Sequence, residues 1–346
     1  GRDGQCRPDW VGALNEELER HLQGDTHWTD RLEDARRIEA TVTQMLHDVN
    51  SGGMAKTFGS FANGFMTENS DLDLVFSGNV PREEVVPLLA SLAIVLPDYN
   101  FEGVVRVFQA SIPLIKFTDT KSGIEVDFCV NNELGVRNSL LLDAYCRYDT
   151  RVMQLGCLVK HWAKSHELVG TADGCLNSYA YVLMAIHYLQ SLQPPVIPNL
   201  QVLATESVPI WDTKWGTADR WETKFIANVA ALPSSENKQS VGELLVGFFS
   251  YFGSSFDWQE HAVCPRLNRP CTVVDKFSLA NSVSAEQWYV EDPFDLRHNL
   301  AGKCTMEARA RILETMQRAA EVLGDASNPS GSWACACGTR AWDLCF

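Results

Sequence analysis

No stretch of this chain is apolar for long enough to cross a bilayer. Even Ser240 to Phe256 is interrupted by Glu243, Gly247 and Gly253, so no membrane partner is expected. Basic residues are scarce as well: 29 Lys and Arg stand against 44 Asp and Glu, for a net charge of −15. That balance excludes tight, sequence-independent binding of nucleic acid over the whole surface and confines any such contact to a local patch. Cysteine is plentiful at 11 residues, yet no Cys-x-x-Cys pair occurs. Cys335 and Cys337 are too close together for a zinc knuckle, and His161 and His166 have no cysteine pair to join, so structural zinc is not expected. The cysteines form no repeating framework, and their odd number points to reduced thiols in an intracellular compartment; a mitochondrial home is expected ahead of a cytoplasmic one, on no feature of the cysteine pattern. The chain opens on Gly1, as a trimmed or tagged chain does, so a targeting peptide is not to be sought in it.

What is present is an ordinary globular composition, 45% hydrophobic and 21% charged over 346 residues, enough for two domains with separate cores. The chain is organised around Lys56 to Phe76. Gly59 and Ser60 make a small-residue turn where backbone N–H groups and a hydroxyl can approach a phosphate without a bulky side chain in the way. Asp71-Leu72-Asp73-Leu74-Val75-Phe76 then alternates as a strand with one buried face. Residues two apart on a strand share a side, so Asp71 and Asp73 present their carboxylates together, with Cα atoms about 6.5 Å apart. Oxygen-only ligands of this kind suit Mg²⁺ or Mn²⁺ better than zinc. The alternative is a pair of solvent-facing acids at the end of an edge strand. A third acid on a neighbouring strand would complete a two-ion site with its ions about 3.5–4 Å apart. Asp127, in the alternating segment Ile124 to Val130, is the candidate, and Glu125 on the same face is its rival.

Helices are expected over 10–22, 29–49, 82–96, 139–146, 151–166, 178–190, 241–252 and 305–323, and strands over 55–58, 72–76, 101–108, 112–117 and 124–130. The region 194–240, rich in proline and tryptophan, reads as an irregular insertion. Trp211, Trp215 and Trp221 either pack it down or offer a stacking platform. The tail beyond Gly324 is left as either a final strand or a segment packed on the insertion. Lys160 and Lys164, four apart on one helix face, either neutralise phosphates or line a solvated surface. Ser178 and Tyr179 fall in the first turn of their helix, where free N–H groups favour phosphate. Asp292 suits the cap of a turn opened by Pro293, with Asp295 as a first-turn acid.

Gly59-Ser60, the Asp71-x-Asp73 strand and the later Asp127 together resemble the DNA polymerase β-like nucleotidyltransferase superfamily. With Asn138, Lys160-His161-Trp162-Ala163-Lys164, Ser178-Tyr179 and Glu291-Asp292-Pro293-Phe294-Asp295 to His298, the chain resembles the terminal uridylyltransferases and noncanonical poly(A) polymerases, in the compact form of the small kinetoplastid enzymes. The resemblance implies an α+β enzyme of two lobes, a mixed-sheet catalytic lobe over 25–138 and a mainly helical lobe over 139–323 onto which 1–24 packs. A tail covers 324–346, and the active site is expected in the cleft between the lobes. It implies two Mg²⁺ or Mn²⁺ ions held by catalytic Asp71, Asp73 and Asp127, and UTP as substrate, with UMP added to an RNA 3′ end. The triphosphate falls to Gly59, Ser60, Lys160, Lys164 and Ser178, the ribose to Asn138, and uracil to Tyr179, Asp292, Asp295 and His298. Asn138 is equally placed to cap the helix that follows it. The chain departs from the family pattern Arg-x-Pro-x-x-Lys, carrying Ser111 before Ile112-Pro113 and Lys116 after, without the arginine. An ATP-using relative, or an inactive RNA-binding subunit of a larger RNA-processing complex, are the competing readings.

Overall fold

The computed structural model describes residues 10–23, 28–49, 52–78, 80–212, 219–267, 270–272, 287–324 and 332–338. Residues 273–276, Trp215, the side chain of Trp211 and residues 342–346 lie outside the described residues. The chain divides into two compact units. One comprises Asp25–Arg147 with Leu203–Ala231; the other takes the N-terminal helix, Tyr148–Val202 and the chain from Leu232 onward.

The elements in order are α1 (Trp10–Gln23), α2 (Trp28–Asp48), β1 (Ala55–Phe58), α3 (Ser60–Asn63), β2 (Leu72–Phe76), α4 (Arg82–Val95), β3 (Phe101–Val107), β4 (Leu114–Asp119), β5 (Glu125–Val130), α5 (Glu133–Tyr148), α6 (Thr150–Ser165) and α7 (Ser178–Ser191). The fold is α+β. In the first unit the five strands form one mixed sheet, ordered β1-β2-β5-β4-β3, with β2 and β5 parallel and the other pairs antiparallel. Alternation sorts the side chains. Leu72, Leu74, Phe76, Val126, Phe128, Val130, Ile115 and Phe117 are buried in one cluster with Ile38, Val42 and Met45 of α2 and Val85, Leu89 and Leu92 of α4. The intervening residues of β2, β5 and β4, Asp73, Asp127 and Lys116, therefore project from the opposite face.

Helix α2 is tied to the sheet by charge as well as by its apolar stripe. Arg37 donates to both carboxylate oxygens of Asp119, at 3.0 and 2.7 Å. The Ser122 hydroxyl and N–H reach the same carboxylate at 2.6 and 2.8 Å. Burial alone would raise the Asp119 pKa, but Arg37 and the Ser122 donors outweigh it and bring the group to about 2. A folded pKa below the unfolded value of about 3.9 makes this stabilisation complete above the unfolded pKa and lost as pH falls toward 2. Urea midpoints at pH 5, 3 and 2 should therefore fall more steeply for the native chain than for Asp119→Asn; parallel profiles would remove Asp119 from the acid response.

Three elements differ from expectation. Helix α5 begins at Glu133, because the Asn132 side chain accepts the Gly135 N–H at 3.1 Å and starts the helix there. Asn138 consequently lies inside the helix and does not cap it. The described residues of 194–240 are mostly loop, as expected, but include two strands: Val208–Asp212 and Asp219–Thr223 pair antiparallel. The hairpin is bound to α5 by Arg137, which donates to the Thr223 hydroxyl at 2.8 Å and stacks over Phe225 at 4.7 Å. The described part of the tail, 332–338, forms a short helix, Trp333–Ala336, in place of a strand, and its first N–H groups are capped by Glu17 of α1.

In the second unit α6 is capped by Asp149 and α7 by Asn177, each accepting a first-turn N–H. Trp162 of α6 packs against Phe249 at 4.8 Å and Tyr181 of α7 at 6.3 Å between ring centroids. The remaining long helices are Val241–Ser250, closed by a Ser240–Glu243 capping box, and Met306–Gly324. Among the described residues no helix is long and apolar enough to cross a membrane.

Candidate active site

Strand register places the acids. Phe58 pairs with Asp73, Asp73 with Asp127, and Asp127 with Lys116, so these residues form one row across four strands. Neighbours in such a row project from the same face about 4.8 Å apart. Asp127, and not Glu125, stands opposite Asp73; Glu125 is exposed and pairs with Thr118. Asp71, at the entry to β2, is close enough to raise the Asp127 pKa.

The Asp127 carboxyl is held above its ordinary value, chiefly by burial and additionally by Asp71, against the lowering effect of Lys116. Lys116 contacts both Asp127 oxygens, at 2.8 and 2.6 Å. As the side chains stand, the three acids do not converge on one point: among the described residues no three His, Cys, Asp or Glu side chains are arranged to hold a metal ion. The neighbouring carboxylates repel, and the ammonium offsets that repulsion at Asp127. The donor set still fits hard divalent cations, being all oxygen and drawn from adjacent strands of a rigid sheet.

The Gly-Ser turn abuts this row. Gly59 has φ 67° and ψ −149°, a conformation essentially restricted to glycine. A Cβ at this position would lie 1.9 Å from Asp73 Oδ2. Its N–H donates to Ser139 Oγ at 2.8 Å, and Ser139 in turn donates to Gly135 O at 2.9 Å. Ser139, a residue with no motif of its own, thus ties the turn to α5. Ser60 is the first residue of α3, and Asn138 is half-buried on α5, one residue before Ser139.

The other candidates lie in the helical unit. Lys160 is buried at 4% exposure, which removes the solvated-face reading for it, whereas Lys164 is exposed. Ser178 and Tyr179 open α7 as expected. The Tyr179 hydroxyl is shielded from solvent with no hydrogen-bond partner among the described residues, and burial, aided by nearby Asp292, holds its pKa well above the usual phenol value. Tyr181 is the core aromatic, fully buried with its hydroxyl on Leu168 O.

Asp292, Asp295 and His298 share one tight loop. Asp292 Oδ1 accepts the Phe294 and Asp295 N–H groups at 2.9 Å each, a cap without a helix. The His298 N–H bonds Asp295 O at 2.8 Å, and its carbonyl accepts the Asp292 N–H at 3.3 Å. Three further side chains support this loop. Arg266 donates twice to fully buried Glu291, at 3.1 and 3.2 Å. Gln201 donates to Pro293 O at 3.0 Å, and the Asn299 amide bonds Trp288 O, Val290 N and Ala301 N. The signal in the sequence was the buried acid next to Asp292, which requires a cation whose position in the chain cannot be read beforehand.

Two family models match, "Poly(A) RNA polymerase, mitochondrial-like, central palm domain" over residues 13–147 and "Cid1 family poly A polymerase" over residues 240–298. The chain is 31% identical over 292 residues to terminal uridylyltransferase cid1 of Schizosaccharomyces pombe, covering 79% of this chain and 69% of that protein. The chain belongs to the Cid1 family. It is also 30% identical over 307 residues to human terminal uridylyltransferase 7, covering 85% of this chain but 20% of that much longer protein. The chain spans a fifth or less of the length of the first curated relatives it matches. A structure of Cid1 in complex with the UTP analogue UMPNPP superimposes with a TM-score of 0.77 at 27% identity, over 92% of this chain and 96% of that one. The palm-domain match contains Asp71, Asp73, Lys116 and Asp127, and the Cid1-family match ends on His298 after taking in Arg266 and Glu291.

Proposed function

We propose that this Cid1-family chain is an RNA uridylyltransferase that moves UMP from UTP to an RNA 3′-hydroxyl and releases pyrophosphate. The observation carrying the reading is the row in which Asp73 and Asp127 stand in register beside the Gly59 turn. Asp71, Asp73 and Asp127 are the residues that would hold two Mg²⁺ or Mn²⁺ ions, which supply Lewis-acid activation of the hydroxyl and charge relief on the departing phosphates. Gly59 keeps side-chain bulk away from Asp73. Ser60 and Ser178 offer hydroxyl donors to the triphosphate, and Lys160 and Lys164 offer positive charge. Asn138 orients the ribose through its 2′-hydroxyl.

On the base, Tyr179 stacks, a contact of about 1–3 kcal/mol. Asp292 and Asp295 accept a hydrogen bond from uracil N3–H, for which adenine has no equivalent ring donor. His298 donates to a uracil oxygen and takes the space a purine would need. The names of the relatives, terminal uridylyltransferases, support the same choice. The net charge of −15 supports a further part of the reading, that RNA is delivered by a partner within a larger RNA-processing complex.

The second reading, adenylyl transfer, is favoured by the poly(A) polymerase descriptions of both matching family models. Incorporation of each of the four nucleoside triphosphates onto a short RNA separates the two. UTP is expected to exceed ATP in kcat/KM by about 10⁴-fold, the scale at which a site built to hydrogen-bond its substrate rejects an analogue lacking that group. Equal or preferred use of ATP would establish the adenylyl reading, and no incorporation of any nucleotide would leave a binding subunit.

A further inference from the structure

We infer that Lys116 is the internal counter-ion of the acidic row, competing with a divalent cation for Asp127 and lowering the affinity of the row for metal in the absence of nucleotide. The inference rests on the proposed metal-binding role of Asp127. Lys116 lies directly opposite Asp127 on the adjacent antiparallel strand, so β4–β5 pairing, and not a chance rotamer, brings the two together. Its ammonium contacts both carboxylate oxygens, at 2.8 and 2.6 Å. Those are the atoms through which Asp127 would bind a cation.

The pair is only partly screened, with the lysine side chain 46% and the aspartate 21% exposed. Asp127 has Asp73 in register on its other side and Asp71 nearby. Those acids also draw on Lys116, helping to hold its charge in place despite partial burial. A cation bound at Asp127 must displace the ammonium from at least one oxygen and then sit beside its charge. Two positive centres a few ångströms apart repel even at the high effective dielectric of a protein surface. The negative triphosphate of an incoming nucleotide relieves that repulsion, so metal and nucleotide are expected to bind together more readily than metal alone.

The test uses the full chain and Mn²⁺ alone, with bound and free ion distinguished by electron paramagnetic resonance. Lys116→Gln should bind Mn²⁺ about tenfold more tightly than the native protein, whereas Lys116→Arg, which keeps the charge, should bind no more tightly. Melting in a chelator should show the glutamine variant less stable, because the carboxylates have lost their counter-ion. An unchanged or weaker Mn²⁺ affinity in Lys116→Gln, with Asp127→Asn binding poorly, would overturn the counter-ion role alone. If Asp127→Asn retained native Mn²⁺ affinity, the metal reading and the counter-ion inference would both fall.

Discussion

Asp73→Asn is expected to abolish the proposed nucleotide incorporation and to leave the chain folded. Asp73 is flanked in register by Phe58 and Asp127, and β2 is itself flanked by β1 and β5, so the side chain is held by a strand that cannot shift alone. Asparagine keeps the shape and removes the charge. Removing one of two adjacent carboxylates relieves repulsion with Asp127, so the melting temperature should not fall. Loss of one acid from a metal-dependent transfer site is expected to slow turnover by a factor on the order of 10³ or more, equivalent to about 4 kcal/mol of transition-state stabilisation. The rate of UMP addition to a short RNA, with circular dichroism as the check on folding, measures both halves of the prediction. Turnover within tenfold of native would remove Asp73 from the chemistry.

Gly59→Ala is expected to have the next largest effect, through geometry and not charge. The backbone at Gly59, φ 67° and ψ −149°, is one an alanine adopts only under strain of about 1–3 kcal/mol. Strain is the smaller part. The added Cβ would sit 1.9 Å from Asp73 Oδ2, so either the carboxylate turns aside or the turn refolds and loses its N–H bond to Ser139. Either outcome misplaces an acid that must be correct to a fraction of an ångström, and a fall in turnover of about 10² or more follows. Gly123 supplies the control: it too has positive φ, at 72°, but an added Cβ meets nothing within 4 Å. Gly123→Ala should lose some stability and keep its turnover. Equal losses of turnover in the two variants would show that backbone strain, and not the approach to Asp73, explains the effect.

Much of this site was legible before any fold was known, for a local reason. The alternation of Asp71 to Phe76 and of Ile124 to Val130 specifies strands with acids on one side, because a strand's faces repeat every second residue. Tight turns declare themselves through glycine, as at Gly59. Where the local signal was ambiguous the reading slipped. Asn138 was as good a cap as Asn132 by composition, and only the Asn132 bond to Gly135 decided where α5 begins. The hairpin at 208–223 was obscured by Pro209, because proline cannot donate to a strand ladder and usually marks a loop or an edge.

The spacing of residues along the chain by itself determined the acid-bearing strands, the tight turn at Gly59 and the start of α7, since each depends on neighbours a few positions away. Tertiary structure alone decided the partners: Asp127 over Glu125 opposite Asp73, Lys116 across from Asp127, Ser139 on the Gly59 turn, and Arg266 on Glu291. Strand register and the pairing of buried charges join residues tens of positions apart. Their energies depend on distance in space, which separation along the chain does not encode.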